Sequence, residues 1–251
     1  MNKLKEILTN NRFAVEQHPL QGCVYYLVLT FFAQFFIENT FYAMCVVDLF
    51  VYLFVFTRRT VSPIKRPIYT VSVWITCFLT VGCLILTTYC WSRWYMLTIA
   101  DASSVGYVAS MSEADMLLYL FMIAIAAPLG EESLFRYVVL NGFLNVFKRL
   151  KEPVKYTLSI VLSAMLFGVM HGTGVHLIVG FVCGLALAII YCTTNKLSLA
   201  ILVHSLYNLG TLFVYVPSSI YLCVILTIIS LLLTTICIYN ISCRQLIIPS
   251  V

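Results

Sequence analysis

Two adjacent carboxylates and a guanidinium, Glu131, Glu132 and Arg136, stand in the stretch Pro128-Leu129-Gly130-Glu131-Glu132-Ser133-Leu134-Phe135-Arg136 of a chain that otherwise avoids charge. On a helix Glu132 and Arg136 are four apart, share one face and can pair. Glu131 then points roughly 100° away, at ~3.6 residues per turn, and stays free of that pair. An ionisable group at the centre of a bilayer costs on the order of 2.5–3.5 kcal/mol by insertion scales. Three of them beside an apolar run mark either a buried site or a helix end at the interface, where a helix N-terminus favours acids.

Three of the four histidines lie in the second half of the chain. His171 ends Phe167-Gly168-Val169-Met170-His171, and His204 opens His204-Ser205-Leu206-Tyr207-Asn208. Phe167 and His171 share a helical face, as do His204 and Asn208. A lone intramembrane histidine is most often a hydrogen bond across helices. Glu131, Glu132, Arg136, His171, His204 and Asn208 together are what a buried site would need. His176 follows no such pattern and reads as an exposed or interface residue.

The elements that carry these residues are set by composition. The chain has 251 residues, 62% hydrophobic and 10% charged, with a mean hydropathy of +0.99. Soluble domains carry about 25% charged residues. The expectation is an all-α, polytopic membrane helix bundle with no separate soluble domain, so residues 1–251 form one membrane domain with a motif-bearing core at about 116–210. Ten cysteines lie in or at the ends of apolar runs without a CxxC pair, and act as small apolar residues. The net charge of +5 comes from short clusters between apolar segments, which excludes a nucleic-acid partner. No cleavable signal and no prenylation box is evident. Residues 1–21 read as a surface helix or a polar tail.

The block Gly22–Phe56 would be ~50 Å long as one helix, against a hydrocarbon core of about 30 Å. Two helices joined near Glu38 fit better. Tyr69–Cys90 is a third span, leading into the aromatic interface signature Trp91-Ser92-Arg93-Trp94-Tyr95 and an outside loop that carries Asp101, Glu113 and Asp115. Met116–Phe147 is too long for a simple span, and a break at Pro128-Leu129-Gly130 is the expected remedy; it would set a helix N-terminus beside Glu131. Tyr156–His171, Val175–Cys192, Leu197–Tyr215 and Ile220–Ile241 follow, separated by turns at Gly172-Thr173-Gly174, Thr193-Thr194-Asn195-Lys196 and Pro217-Ser218-Ser219. Of 15 Lys and Arg, only Arg93 falls outside and only Arg136 within the membrane. That distribution predicts about eight spans with both termini cytoplasmic. Counted along the helices, Glu131 and His204 come near one depth, whereas His171 comes out ~10 Å too close to the outer side.

Glu-Glu-x-x-x-Arg, then Phe-x-x-x-His, then His-x-x-x-Asn, in this order on successive apolar helices, resembles the CPBP family, the CAAX protease and bacteriocin-processing family also called Abi. Gly180 and Gly184 resemble its small-residue helix. The similarity covers roughly residues 116–210, and the first three spans and the last read as generic. The resemblance implies an intramembrane endopeptidase in which Glu131 and His171 activate a water while His204 and Asn208 donate to the oxyanion. Glu132, Arg136 and Phe167 would be structural support. It also raises a zinc alternative on Glu131, His171 and His204, since two His and one Glu can hold a catalytic zinc. No HExxH helix supports that set, so the metal-free glutamate mechanism is favoured.

The expected partners are the lipid bilayer, of a bacterial plasma membrane, and a peptide or small membrane-protein substrate: a CaaX-type tail, a pheromone or a bacteriocin precursor. No sequence feature specifies an oligomer. The alternative is a non-catalytic bacteriocin self-immunity or membrane regulatory partner protein, which would be expected to show eroded motifs. A transporter would be expected to show an internal repeat, and none is visible.

Overall fold

In the computed structural model, residues 19–37, 39–56, 64, 70–98, 112–172, 174–213 and 219–247 are described. Glu38, most of residues 1–21, the polar stretch through Asp101, and Pro217 and Ser218 lie outside them. The described residues form eight helices and no strand: α1 (Pro19–Phe36), α2 (Thr40–Phe56), α3 (Val71–Thr98), α4 (Glu113–Val146), α5 (Glu152–Met170), α6 (Val175–Thr194), α7 (Leu197–Phe213) and α8 (Ile220–Ile247). Five of them, α3, α4, α5, α6 and α8, are long and apolar enough to cross a membrane; α1, α2 and α7 are shorter apolar helices. The first apolar block is two packed helices, as its length demands.

Large apolar side chains line the outer surface, such as Phe78 at 69% and Leu232 at 61% exposure. In water such a surface would aggregate, whereas in lipid it carries no penalty. The chain is an integral, multi-pass membrane protein. Its centre is α6, which packs on α3, α5, α7 and α8. Small residues set that approach: a Cβ on Gly180 would lie 3.1 Å from Gly168 Cα and from the His171 side chain, and one on Gly184 would lie 3.1 Å from Ala164 Cα. The turn from α5 into α6 has positive φ at both Gly172 (111°) and Gly174 (62°), a conformation open to glycine without steric cost.

Away from the motifs, α3 and α8 are joined along a seam of small polar groups. Thr87 and Ser230 hydroxyls are 2.8 Å apart, and Trp91 Nε1 donates to Thr227 Oγ1 at 2.9 Å. Trp91, Trp94 and Tyr95 therefore lie within α3, which extends to Thr98 rather than ending at Cys90. The ten cysteines are free and eight of them are buried.

The expected break at Pro128-Leu129-Gly130 does not occur. α4 runs unbroken from Glu113 to Val146, with π-helical turns at Met122–Ala126 and Ser133–Leu140. Its N-terminus lies at Ser112, whose side chain accepts from the Asp115 backbone N–H, so Glu113 and Asp115 sit in its first turn rather than in a loop. The π register explains how a proline is tolerated. In the turn before Pro128, the Ala127 N–H reaches back five residues to the Met122 carbonyl. The next donor in that register would be Pro128, which has no N–H. The Ile123 carbonyl is thereby released, and Asn208 Nδ2 on α7 donates to it at 2.7 Å. In the second π turn the Phe135 carbonyl accepts from Ser163 Oγ of α5 at 3.1 Å. The irregular stretches of α4 thus become the places where its neighbours are tied to it.

Candidate active site

Glu132 and Arg136 form the pair that their spacing predicts. Arg136 Nε donates to Glu132 Oε2 at 2.7 Å and its Nη2 to Oε1 at 3.3 Å, and both side chains have zero exposure. Two-point pairing of this kind fixes both groups in orientation as well as distance. Glu132 does more than hold the arginine, because its Oε1 also lies 3.0 Å from Nδ1 of His204. A carboxylate already paired to a guanidinium accepts there, so Nδ1 carries the proton and the ring presents Nε2 to the site.

Phe167 occupies the middle of this network. Its ring lies under the Arg136 guanidinium at 4.9 Å, meets Phe135 edge-on at 5.0 Å, and contacts the rings of His171 at 4.4 Å and His204 at 5.8 Å. Its backbone carbonyl is 2.7 Å from His171 Nδ1. A carbonyl can only accept, so His171 donates from Nδ1 and presents a bare Nε2. One residue therefore fixes both the plane and the tautomer of His171.

The two Nε2 atoms face Glu131. Its Oε2 lies 3.6 Å from His171 Nε2 and 4.0 Å from His204 Nε2. Glu131 is 14% exposed, His171 34% and His204 4%, so the cluster is reached from the His171 side. Oε2 of Glu131 is buried without a hydrogen-bond partner, an arrangement that buried carboxylate oxygens rarely adopt unless water or chemistry is to follow. The depth expected for His171 is thus corrected. Depth counted along separate helices ignores tilt; the start of α5 at Glu152 rather than Tyr156 would by itself carry His171 farther out, so tilt and not helix length accounts for the difference. The level of His171 is set by its side-to-side contact with Gly180.

Of the expected site residues, Glu131, His171 and His204 come together, with Glu132, Arg136 and Phe167 behind them. Asn208 lies on the same face of α7 as His204 and gives one amide hydrogen to Ile123; the second remains for another acceptor. His176 is exposed. For zinc, the donor types of Glu131, His171 and His204 fit, with Glu131 Oε2 at 3.6 and 4.0 Å from the two Nε2 atoms. Among the described residues no group of three or more His, Cys, Asp or Glu could hold a metal ion.

One residue of this region is not anticipated by the motifs. Asp48, on α2, has zero exposure. Its Oδ1 accepts from the Tyr26 hydroxyl of α1 at 2.8 Å, and its carboxyl rests on the backbone of Gly130, where any Cβ would overlap it. The first two helices are therefore not generic: α2 packs on the Ala127–Glu132 turn of α4 that carries Glu131. The signal was present in the sequence, since a carboxylate inside an apolar run marks function by default.

Comparison with known proteins points to the segment that carries these motifs. Residues 113–210 match the family described as type II CAAX prenyl endopeptidase Rce1-like. Over 91 residues the chain is 28% identical to the membrane-embedded CAAX protease MroQ of Staphylococcus aureus (strain USA300), covering 36% of each protein. The chain thus spans about a third of the length of the curated relative it matches. No solved structure matches. The matched segment, residues 113–210, carries the three motifs that converge from α4, α5 and α7, and over that segment the chain is similar to membrane proteases of the CAAX prenyl endopeptidase kind.

Proposed function

We propose that this protein is an intramembrane endopeptidase that hydrolyses a peptide bond in a small peptide or a C-terminal tail, with Glu131 as the base that activates water. The observation that carries this reading is the buried, unpartnered Oε2 of Glu131 facing two imidazole Nε2 atoms at 3.6 and 4.0 Å. Both separations are too long for a hydrogen bond and suit a water between the groups. Such a water donates one hydrogen to Glu131 and the other to the bare Nε2 of His171. As its oxygen attacks the carbonyl carbon, the proton passes to Glu131, which returns it to the departing amine.

The oxyanion is met by His204 and Asn208. His204 already gives its Nδ1 hydrogen to Glu132, so it donates from Nε2 when doubly protonated. Asn208 supplies the amide hydrogen that Ile123 leaves over. Donors fixed before the reaction cost no reorganisation as charge develops, and each is worth roughly 10²–10³ in rate. The substrate class favoured by the names of the family and the relative is a CaaX-type tail, with pheromone and bacteriocin precursors as further candidates.

The test is turnover of a fluorogenic CaaX-type peptide by detergent-solubilised protein, beside Glu131→Gln and with metal content measured. A loss of about 10²–10⁴-fold in Glu131→Gln is expected for removal of a general base. Wild-type turnover in that variant overturns the reading. Stoichiometric zinc with chelator-sensitive activity replaces the metal-free mechanism on the same residues.

A further inference from the structure

We propose that Cys90 and Cys223 are a disulfide site that staples α3 to α8 on the outer side of the membrane. The pair lies outside all three motifs and outside residues 113–210, and it does not depend on the peptidase reaction proposed above.

Packing selects the pair. Both are thiols with zero exposure, their Sγ atoms lie 2.9 Å apart, and they stand 133 positions apart in the chain. The helices are tied beside them, by Thr87 with Ser230 at 2.8 Å and by Trp91 with Thr227 at 2.9 Å. Bonding the two sulfurs, at about 2.05 Å, therefore asks the seam to close by less than about 1 Å at this point.

The same seam holds a second pair, Cys77 and Cys237, hydrogen-bonded to each other. Depth separates the two pairs, since Cys77 lies ~20 Å from Cys90 along α3. Cys90 adjoins the interface aromatics Trp91 and Trp94, and Cys223 lies in the first turn of α8, its N–H bonded to the Ser219 carbonyl. The connections at that end, 99–112, 172–174 and 214–219, contain no Lys or Arg, whereas 57–70 at the other end contains Arg58, Arg59, Lys65 and Arg66. Cytoplasmic loops carry the excess of Lys and Arg, so Cys90 and Cys223 face the outside and Cys77 and Cys237 the cytoplasm. Thiols are oxidised outside the cell and kept reduced within it.

The oxidant is an oxidised dithiol carrier on the outer side. The Cys223 thiolate attacks one carrier sulfur, forming a mixed disulfide and freeing one carrier thiol; the Cys90 thiolate then attacks the Cys223 sulfur and frees the second. One S–S bond forms in the chain and one breaks in the carrier, which leaves as a dithiol with the two protons and two electrons. Both sulfurs are buried once α8 is docked, so the exchange precedes docking. The staple closes a loop that contains every motif residue, and so restricts the loosened states in which α8 leaves α3.

In the test, bacterial membranes holding the full chain are denatured directly in N-ethylmaleimide, digested without reduction and analysed by mass spectrometry. The Cys90 and Cys223 peptides are expected joined, and released by dithiothreitol, with Cys77 and Cys237 both alkylated. Alkylation of both Cys90 and Cys223 overturns the proposal, as does a link from either to another cysteine. Equal linkage of Cys77 to Cys237 means oxidation without regard to membrane side and overturns it too. A second readout is melting in detergent: dithiothreitol is expected to lower the wild-type melting temperature by about 5 °C or more and to leave Cys90→Ala unchanged. A wild type that melts alike with and without dithiothreitol overturns the staple.

Discussion

Glu131 and Glu132 are neighbours in the chain with opposite surroundings. On the side of α5 and α7, Glu132 is saturated: two bonds from Arg136, one from His204, and Phe167 stacked beneath the guanidinium. On the side of α2, Glu131 and Asp48 each leave a buried oxygen without a partner. A carboxylate paired at both oxygens rigidifies its surroundings, even though Nη1 of Arg136 is itself buried without a partner, whereas a buried carboxylate oxygen left unpaired is a candidate for chemistry. On the function proposed above, the difference separates a carboxylate held for shape from one held for reaction, in adjacent residues of a single helix.

The comparison breaks most severely at Arg136. Arg136→Met leaves Glu132 as an uncompensated buried charge, which costs about 3–5 kcal/mol. A large fall in unfolding temperature in detergent is expected, whereas Glu131→Gln melts like the wild type. The double variant Glu132→Gln with Arg136→Met recovers much of that loss, because a buried pair replaced on both sides is far less costly than one broken. Equal melting of Arg136→Met and wild type removes the structural half of the contrast.

A smaller effect is expected at the α2 contact. Gly130→Ala pushes a methyl against the carboxyl, Cβ and backbone Cα of Asp48, and overpacking of this kind costs about 1–3 kcal/mol or more. Asp48→Ala in the same chain relieves part of it, so a double-mutant cycle gives a coupling free energy of about 0.5 kcal/mol or more. Strict additivity would remove the carboxyl of Asp48 from the contact and leave only its Cα and Cβ there. The Ser163 tie to Phe135 comes next: Ser163→Ala leaves a π-turn carbonyl without its donor, at about 1 kcal/mol of unfolding stability. The smallest effect lies far from the site, in the α3–α8 seam. Removing the Thr87–Ser230 contact is expected to cost about 0.6 kcal/mol, the average for interhelical hydrogen bonds in a membrane bundle, with no change in peptide cleavage.

Much of this was legible in the sequence because it is periodic. The apolar runs gave the helices, a spacing of four placed Glu132 with Arg136 and Phe167 with His171, and the same geometry turned Glu131 away. Proline and glycine misled. Pro128 reads as a break only if the helix around it is α-helical, and the π register turns its missing N–H into a carbonyl for Asn208. Gly130 reads as a flexible joint until Asp48 is found against it.

By itself the sequence determined the membrane class, the number of apolar helices and the pairs within one helix, since hydropathy and a 3.6-residue period are local properties. Only the tertiary structure decided which helices touch, and so that α2 brings Asp48 to Gly130, that Gly180 sets the level of His171, and that Glu132 orients His204 across to α7. Those contacts join residues far apart in the chain, and what selects them is the close fit of small and large side chains between helices in lipid, which no single segment encodes.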